Sequence, residues 1–461
     1  MFGQGAVKTP SSTPTDVQIR PGCLRPGQVA VRGYKHAMVL LVAATVAINR
    51  TVEIRNCPLI EETRVLSEIF EQCGGVASYE NETLRLNPRA LRHGAVPDQL
   101  AERIHGSIYL LPVLLGRFGS VMLPETGGCR LSSAERNGRP VHHMLTVLEA
   151  FGAEFTANDG WIVGTSQGFH AIDIDIQQFS TRDDVLTGHF VSGATKTAIL
   201  AALFVEHGET IIRNPYPKPD VQELLLFVEA AGYRVQRGPQ EIRISRGGAE
   251  LSEQQILSHD LMSCISTVMT YIALAVHARV PLRLTGLTVE RVRAGLAEEL
   301  RLLSKMGVPL EWVEDSLHVL GAPSITNIDI DVTSVGIYSD HQPFFALMFL
   351  QGDRPARIRE YVWPERFDYA RELLKLGAQI TFEDAAIVVH PSSLDRAGQT
   401  LVATDLRAAA ALLLAAVGVS GRTEIKNIHH IERGYDDLLD TLSRIGVDVE
   451  ALTVEVIAGE C

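Results

Sequence analysis

Small polar clusters stand just ahead of the most apolar stretches of this chain. They are Lys35-His36, His105-Gly106-Ser107, Ser192-Gly193-Ala194-Thr195, Asp260, Asp340-His341-Gln342 and Asp405-Leu406-Arg407. The stretches that follow are rich in Ala and Leu and read as helices, so these clusters occupy helix N-termini. Unpaired N–H groups and a partial positive charge make such ends attractive to anions. Ser, Asp or Thr there is an ordinary cap, and Asp340 taken alone reads as one. Lys35 and Arg407 oppose the helix dipole, so a bound anion explains them better than helix stability does. Arg offers bidentate forks for carboxylate or phosphate and Lys offers a point charge. The chemistry suggested is the handling of a small, anionic substrate.

The elements that position these clusters recur along the chain. Each unit has an apolar helix, a short β-branched strand, an amphipathic helix, a Gly-containing turn and another strand. The first reads HAMVLLVAATVAI, TVEIRN, EETRVLSEIFEQCGG, VASYE, and the third reads ATKTAILAALFVEHG, ETIIRN, KPDVQELLLFVEAAG, YRVQR. Six such units follow one another at a spacing of about 70 to 90 residues, longer than the roughly 20 to 50 usual in solenoids. The first helix of each is apolar nearly all round and is expected inside; in the third unit the second helix gathers Val221, Leu224, Leu225, Val228 and Ala231 on one face. Two domains of three units each are expected, with helices inside and sheets around them.

Composition narrows the function. Of 461 residues, 46% are hydrophobic and 21% charged, which is globular usage. Lys plus Arg number 42 against 55 Asp plus Glu, a net charge of -13 that speaks against nucleic-acid binding through bulk charge. Cysteines 23, 57, 73, 129, 264 and 461 show no C-x-x-C pair and no metal spacing, so free thiols in a reducing cytosol are expected. No metal or cofactor is called for. The N-terminal residues, 1–20, lack an apolar signal core and read as a flexible tail. The longest apolar run, Ala37 to Ile48, has 12 residues, too short for a bilayer that needs about 20. A cytoplasmic protein is expected, with no membrane partner, as a monomer or weak homo-oligomer.

The chain resembles the enolpyruvyl transferase family. The likeness runs from about Gln28 to Val449 and rests on the order of several motifs. These are Lys35 in GYKHA, Gly127-Gly128-Cys129, Arg139-Pro140-Val141, SGAT from Ser192, SDHQ around Asp340, ERF at Arg366, DLRA at Arg407 and ERGY at Arg433. It looks most like the UDP-N-acetylglucosamine branch and more distantly like the shikimate 3-phosphate enzyme, which does not use the GGC thiol loop. The resemblance implies an α/β fold: a two-domain inside-out α/β barrel of six βαβαββ repeats, with the active site in the interdomain cleft. It implies one domain at 35–257 and another made of 21–34 plus 258–461. It also implies phosphoenolpyruvate as donor, held by Lys35, Arg139 and Arg433 at the phosphate and by Arg366 and Arg407 at the carboxylate. Catalysis would fall to Asp340 as base for the acceptor hydroxyl, to Cys129 in proton transfer or product release, and to Lys35.

The departures from the family pattern lie on the acceptor side. The family's Lys-Asn is Lys35-His36, an Arg of the second helix start is His105, and a Lys beside the third is His189. The segment that cradles uracil in the cell-wall enzyme reads Arg139-Pro140-Val141-His142-His143-Met144, and the loop from Cys129 to Arg139 looks longer. Acceptor contacts are expected at His36, His105, Arg139, Pro140, Val141, His142, His189, Ser192, Gly193 and Asp340. A kept donor side with a rebuilt acceptor side resembles the enzymes of nikkomycin- and polyoxin-type antibiotics, which transfer enolpyruvate to the 3′-hydroxyl of UMP. A uridine nucleotide, UMP in preference, is therefore the expected partner. The alternatives are a divergent enzyme acting on UDP-N-acetylglucosamine, and an inactive relative that only binds a uridine nucleotide.

Overall fold

A computed structural model describes residues 15–20, 22, 24–124, 141–158, 160–179, 192–247, 255–321 and 324–452. The chain divides into two compact units, one comprising the described residues of 32–263 and the other those of 15–31 and 264–452.

In the first unit the inner helices are Lys35–Ile48, Leu110–Phe118 and Ser192–Ala202, each packed against the other two. In the second they are Ile265–Ala278, Gln342–Phe349 and Leu406–Val417, again in mutual contact. These helices lack a polar face because no face meets water: every residue from Ala37 to Val46 is buried, and so is every residue from Leu406 to Val417. Ala at many positions lets the helices approach closely. Truncating a central residue such as Leu41 or Leu413, both fully buried, to Ala should cost about 2–5 kcal/mol. The first helix stops where Asn49 turns left-handed at φ 53°, and the second where Gly119 does so at φ 69°.

Among the described residues six sheets surround these cores, five of four strands and one of three. Their strands alternate, with Val52 and Ile54 turned inward and Arg55 exposed, and with Ala356, Ile358 and Glu360 buried. Each four-stranded sheet has a parallel edge pair followed by antiparallel neighbours. Asp173–Asp175 runs parallel to Thr210–Arg213, which is antiparallel to Glu241–Ser245, and that strand to Arg234–Arg237. The outer helices are amphipathic, with Val221, Leu224, Leu225 and Val228 of Pro219–Ala230 fully buried and Leu226 exposed.

Three strands come from distant parts of the chain. Leu257–Asp260 forms the parallel edge beside Val52–Arg55, although some two hundred residues separate them. Gly27–Ala30 does the same for Leu282–Thr285. Asp16–Arg20 inserts between Thr423–Lys426 and Asp448–Leu452. Three expectations are corrected here. The tail 1–20 includes a central strand at 16–20, with Val17 and Ile19 fully buried. The break expected at 257/258 falls instead after Ser263, because strand 257–260 is hydrogen-bonded within the first unit. Asp260 accordingly ends a strand, paired with Arg55 on the surface, rather than starting a helix.

No helix among the described residues is long and apolar enough to cross a membrane.

Candidate active site

In the second unit three of the expected residues meet. Tyr338-Ser339-Asp340-His341 forms a turn, with the His341 N–H donating to the Tyr338 carbonyl at 2.8 Å. The inner helix begins at Gln342, so Asp340 does not cap it, as its sequence position suggested. Its carboxylate is instead shared by two guanidiniums. Arg366 Nη1 donates to Oδ1 at 2.9 Å and Arg407 Nε to Oδ2 at 3.1 Å. Both arginines are buried, whereas the Asp340 side chain keeps 27% exposure. Arg366 also lies 3.4 Å from Asp405, and Arg407 donates to the Tyr435 hydroxyl at 2.9 Å. That hydroxyl is 2.6 Å from Thr270 Oγ1.

The electrostatics follow from this packing. Burial by itself would lower the proton affinity of Arg366, but Asp340 and Asp405 outweigh it and hold the group above its ordinary value. Tyr435 and Asp340 do the same for Arg407 against the same penalty. Burial pushes Glu360 above the usual carboxylate range, opposed by N–H groups and by Ser339. Asp405 is a working cap: it accepts from the N–H of Arg407 at 2.8 Å and of Ala408 at 3.3 Å. Arg407 can therefore sit at the second helical position despite the dipole. Arg433 ends the turn of helix Ile428–Arg433, which packs on the same inner helix as Arg407.

The first unit holds the other candidates that the structure describes. Lys35 opens its helix, and its Nζ meets Glu62 at 3.1 Å. Lys35 and Arg407 both have protein carboxylates as partners, so opposition to the dipole alone does not require a ligand. His36 makes a tilted ring contact with Tyr34, centroids 5.1 Å apart, and lies near Asp220. Asp220 forms a buried ion pair with Lys196, beside the rings of Tyr109 and Tyr216. Burial would raise the Asp220 carboxyl, yet Lys196 and His36 pull it below its ordinary value. His105 is half-buried ahead of the turn Gly106–Tyr109. Ser192 and Gly193 begin their helix, and a Cβ on Gly193 would lie 2.3 Å from His143 Nε2. Only glycine lets that ring rest on the helix start. Val141 precedes helix His142–Ala150, whose first residue is exposed. Cys129, Arg139, Pro140 and His189 lie outside the described residues.

Sequence reasoning missed Tyr435, Glu62, Lys196, Asp220, Glu299 and Glu360. Tyr435 had a signal, since it stands two residues after Arg433 in ERGY. The others are single polar residues inside amphipathic or apolar segments, where only the fold shows what they face.

Together the second unit's groups offer a carboxylate flanked by two buried cations, an arrangement able to bind a small anion beside a proton acceptor. The chain is similar to known proteins over nearly its whole length. Residues 23–442 match the family model for EPSP synthase (3-phosphoshikimate 1-carboxyvinyltransferase). The chain is 27% identical over 426 residues to UDP-N-acetylglucosamine 1-carboxyvinyltransferase 2 of Listeria monocytogenes, covering 92% of this chain and 94% of that protein. It is 28% identical to UDP-N-acetylglucosamine 1-carboxyvinyltransferase of Campylobacter fetus, covering 95% and 99%. Among solved structures, the enolpyruvyl transferase NikO from Streptomyces tendae superposes with a TM-score of 0.86 at 35% identity, covering 95% of this chain and 99% of that one. EPSP synthase from Acinetobacter baumannii shares the fold, with a TM-score of 0.70 at 17% identity and coverage of 94% and 99%.

Proposed function

The chain belongs to the EPSP synthase family and is an enolpyruvyl transferase, and from that premise we propose that it transfers the enolpyruvyl group of phosphoenolpyruvate to the 3′-hydroxyl of UMP. In this reading the acceptor oxygen forms a bond to C2 of the donor while a proton is added at C3. The tetrahedral ketal phosphate then loses the C3 proton and its C2–phosphate bond breaks, releasing inorganic phosphate. Asp340 takes the acceptor proton; it lies within hydrogen-bond reach of two arginines suited to the donor carboxylate. Lys35, Arg139 and Arg433 hold the donor phosphate, and Cys129 takes part in proton transfer or product release.

The observation that carries the donor half is the Asp340–Arg366–Arg407 cluster. The acceptor half rests on His36, His105, His142 and His189, which by the family resemblance take the places of Asn, Arg, Asp and Lys in the cell-wall enzymes. Histidine is shorter than Lys or Arg and only partly charged near neutrality, which suits one phosphate better than an extended diphosphate-sugar. The 35% identity to NikO over nearly the full chain supports the enolpyruvyl transfer itself.

The test compares UMP and UDP-N-acetylglucosamine at equal concentration, following phosphate release and the mass of the product. Turnover with UMP alone supports the reading. Turnover with UDP-N-acetylglucosamine alone returns the chain to the activity named for the Listeria and Campylobacter relatives. Binding of either nucleotide with no phosphate release from phosphoenolpyruvate would point to an inactive relative.

A further inference from the structure

The turn that carries Asp340 is held from behind by two buried carboxylates. Glu299, on the outer helix Ala297–Lys305, accepts from the Tyr338 N–H at 3.1 Å and contacts His341 Nδ1 at 2.9 Å. The other ring nitrogen of His341 meets Ser266 Oγ at 3.0 Å, on the first turn of an inner helix. Glu360, the last residue of strand Ala356–Glu360, accepts from Ser339 Oγ at 2.7 Å and from the N–H groups of Val362 and Trp363 at 2.8 and 3.0 Å. Arg366 Nη1 bridges the two halves, donating to both Ser339 Oγ and Asp340. Glu299, Glu360, His341 and Ser266 are each no more than 2% exposed.

We propose that Glu299 and Glu360 are positioning residues for Asp340: they fix both ends and the corner of its turn, so that the carboxylate holds one place relative to Arg366 and Arg407. Burying two carboxylates is costly. A four-residue turn closed by its own hydrogen bond needs no such support merely to exist. The support is proportionate if the carboxylate must be placed to within a fraction of an ångström, since a displacement of about 1 Å at a reacting group can cost 10²-fold in rate. None of these four side chains touches a reactant in this scheme. Each acts through the turn, and the inference rests on Asp340 being the base.

A double-mutant cycle on the full chain tests it, with phosphate release from phosphoenolpyruvate and UMP as the readout and a thermal melt for every variant. Glu299→Gln should lower kcat roughly 10- to 100-fold and leave the KM for phosphoenolpyruvate within threefold. In an Asp340→Asn background the same change should cost less than twofold, because a misplaced base cannot matter once the base is gone. Should Glu299→Gln not fold, Ser266→Ala removes the far end of the His341 contact and should show the same pattern at roughly threefold to tenfold. Equal losses in both backgrounds, or full activity of a folded single variant, would overturn the inference. If Asp340→Asn turns over normally, the assignment of the base fails and this inference falls with it. A slow Asp340→Asn with additive losses removes only the inference.

Discussion

Replacing Asp340 by Asn should separate two effects with opposite signs. The substitution keeps the shape of the side chain and removes its charge. Two buried guanidiniums then lose the carboxylate they share at 2.9 and 3.1 Å. Opening a fully buried pair costs about 3–5 kcal/mol. Asp340 is 27% exposed, so water recovers part of this and a loss of roughly 2–3 kcal/mol is reasonable. For a unit of this size that corresponds to a fall in melting temperature of about 4–12 °C. The same imbalance should favour an incoming anion. Asp340 competes with the donor carboxylate for Arg366 and Arg407, so its neutralisation should tighten phosphoenolpyruvate binding about tenfold, or about 1.4 kcal/mol. Turnover should nonetheless fall about 10²- to 10⁴-fold, because the proton acceptor is lost. Calorimetric titration with phosphoenolpyruvate, a melting curve and phosphate-release kinetics measure the three quantities. A variant that binds the donor no more tightly and turns over at the original rate would refute the assignment of both the base and the carboxylate site.

Three other outcomes are expected. His277 is buried, and desolvation lowers its pKa to about 4. It is neutral in the folded chain, and the unfolded chain takes up its proton first, so stability should be intact above about pH 6.5 and fall between there and pH 4, by up to about 3 kcal/mol. Urea midpoints at pH 7.5 and 5 should therefore differ less in His277→Leu than in the parent; an equal difference in the two proteins would discount this histidine. Gly193→Ala places a Cβ 2.3 Å from His143 Nε2, so the ring must move, at about 1–3 kcal/mol by thermal melt; an unchanged melt would show that the helix start adapts freely. The thiols of Cys57, Cys73 and Cys264 are buried, and burial raises Cys73 to about 11. The family resemblance sets Cys129 near Lys35 and Arg139, whose charge would activate its thiol, so the epoxide fosfomycin, which alkylates family members with this Cys, should label Cys129 ahead of these three in peptide mapping; similar labelling of all four would remove that expectation.

The repeat architecture is legible in the sequence because its signals are local. An apolar helix with no polar face, as in Leu406–Val417, can only be buried. Strands such as 52–55 declare themselves by alternation. The arginines and Asp340 are legible as types in family-like motifs, and Asp405 as a cap. Strand exchange is not legible in this way. Nothing near Gly27–Ala30 shows that it will pair with Leu282–Thr285, or near Leu257–Asp260 that it will pair with Val52–Arg55. Edge pairing is chosen by which backbone edge lies open after the helices pack, and that is a property of the whole unit. The partners of Asp340 depend on the fold for the same reason. Arg366 is 26 residues away and Arg407 is 67. Glu299 and Glu360 lie in an amphipathic helix and at a strand end, where a carboxylate ordinarily faces water. Only the packing of helix, turn and strand buries them, and burial is what converts ordinary acidic residues into fixed anchors for the turn that carries Asp340.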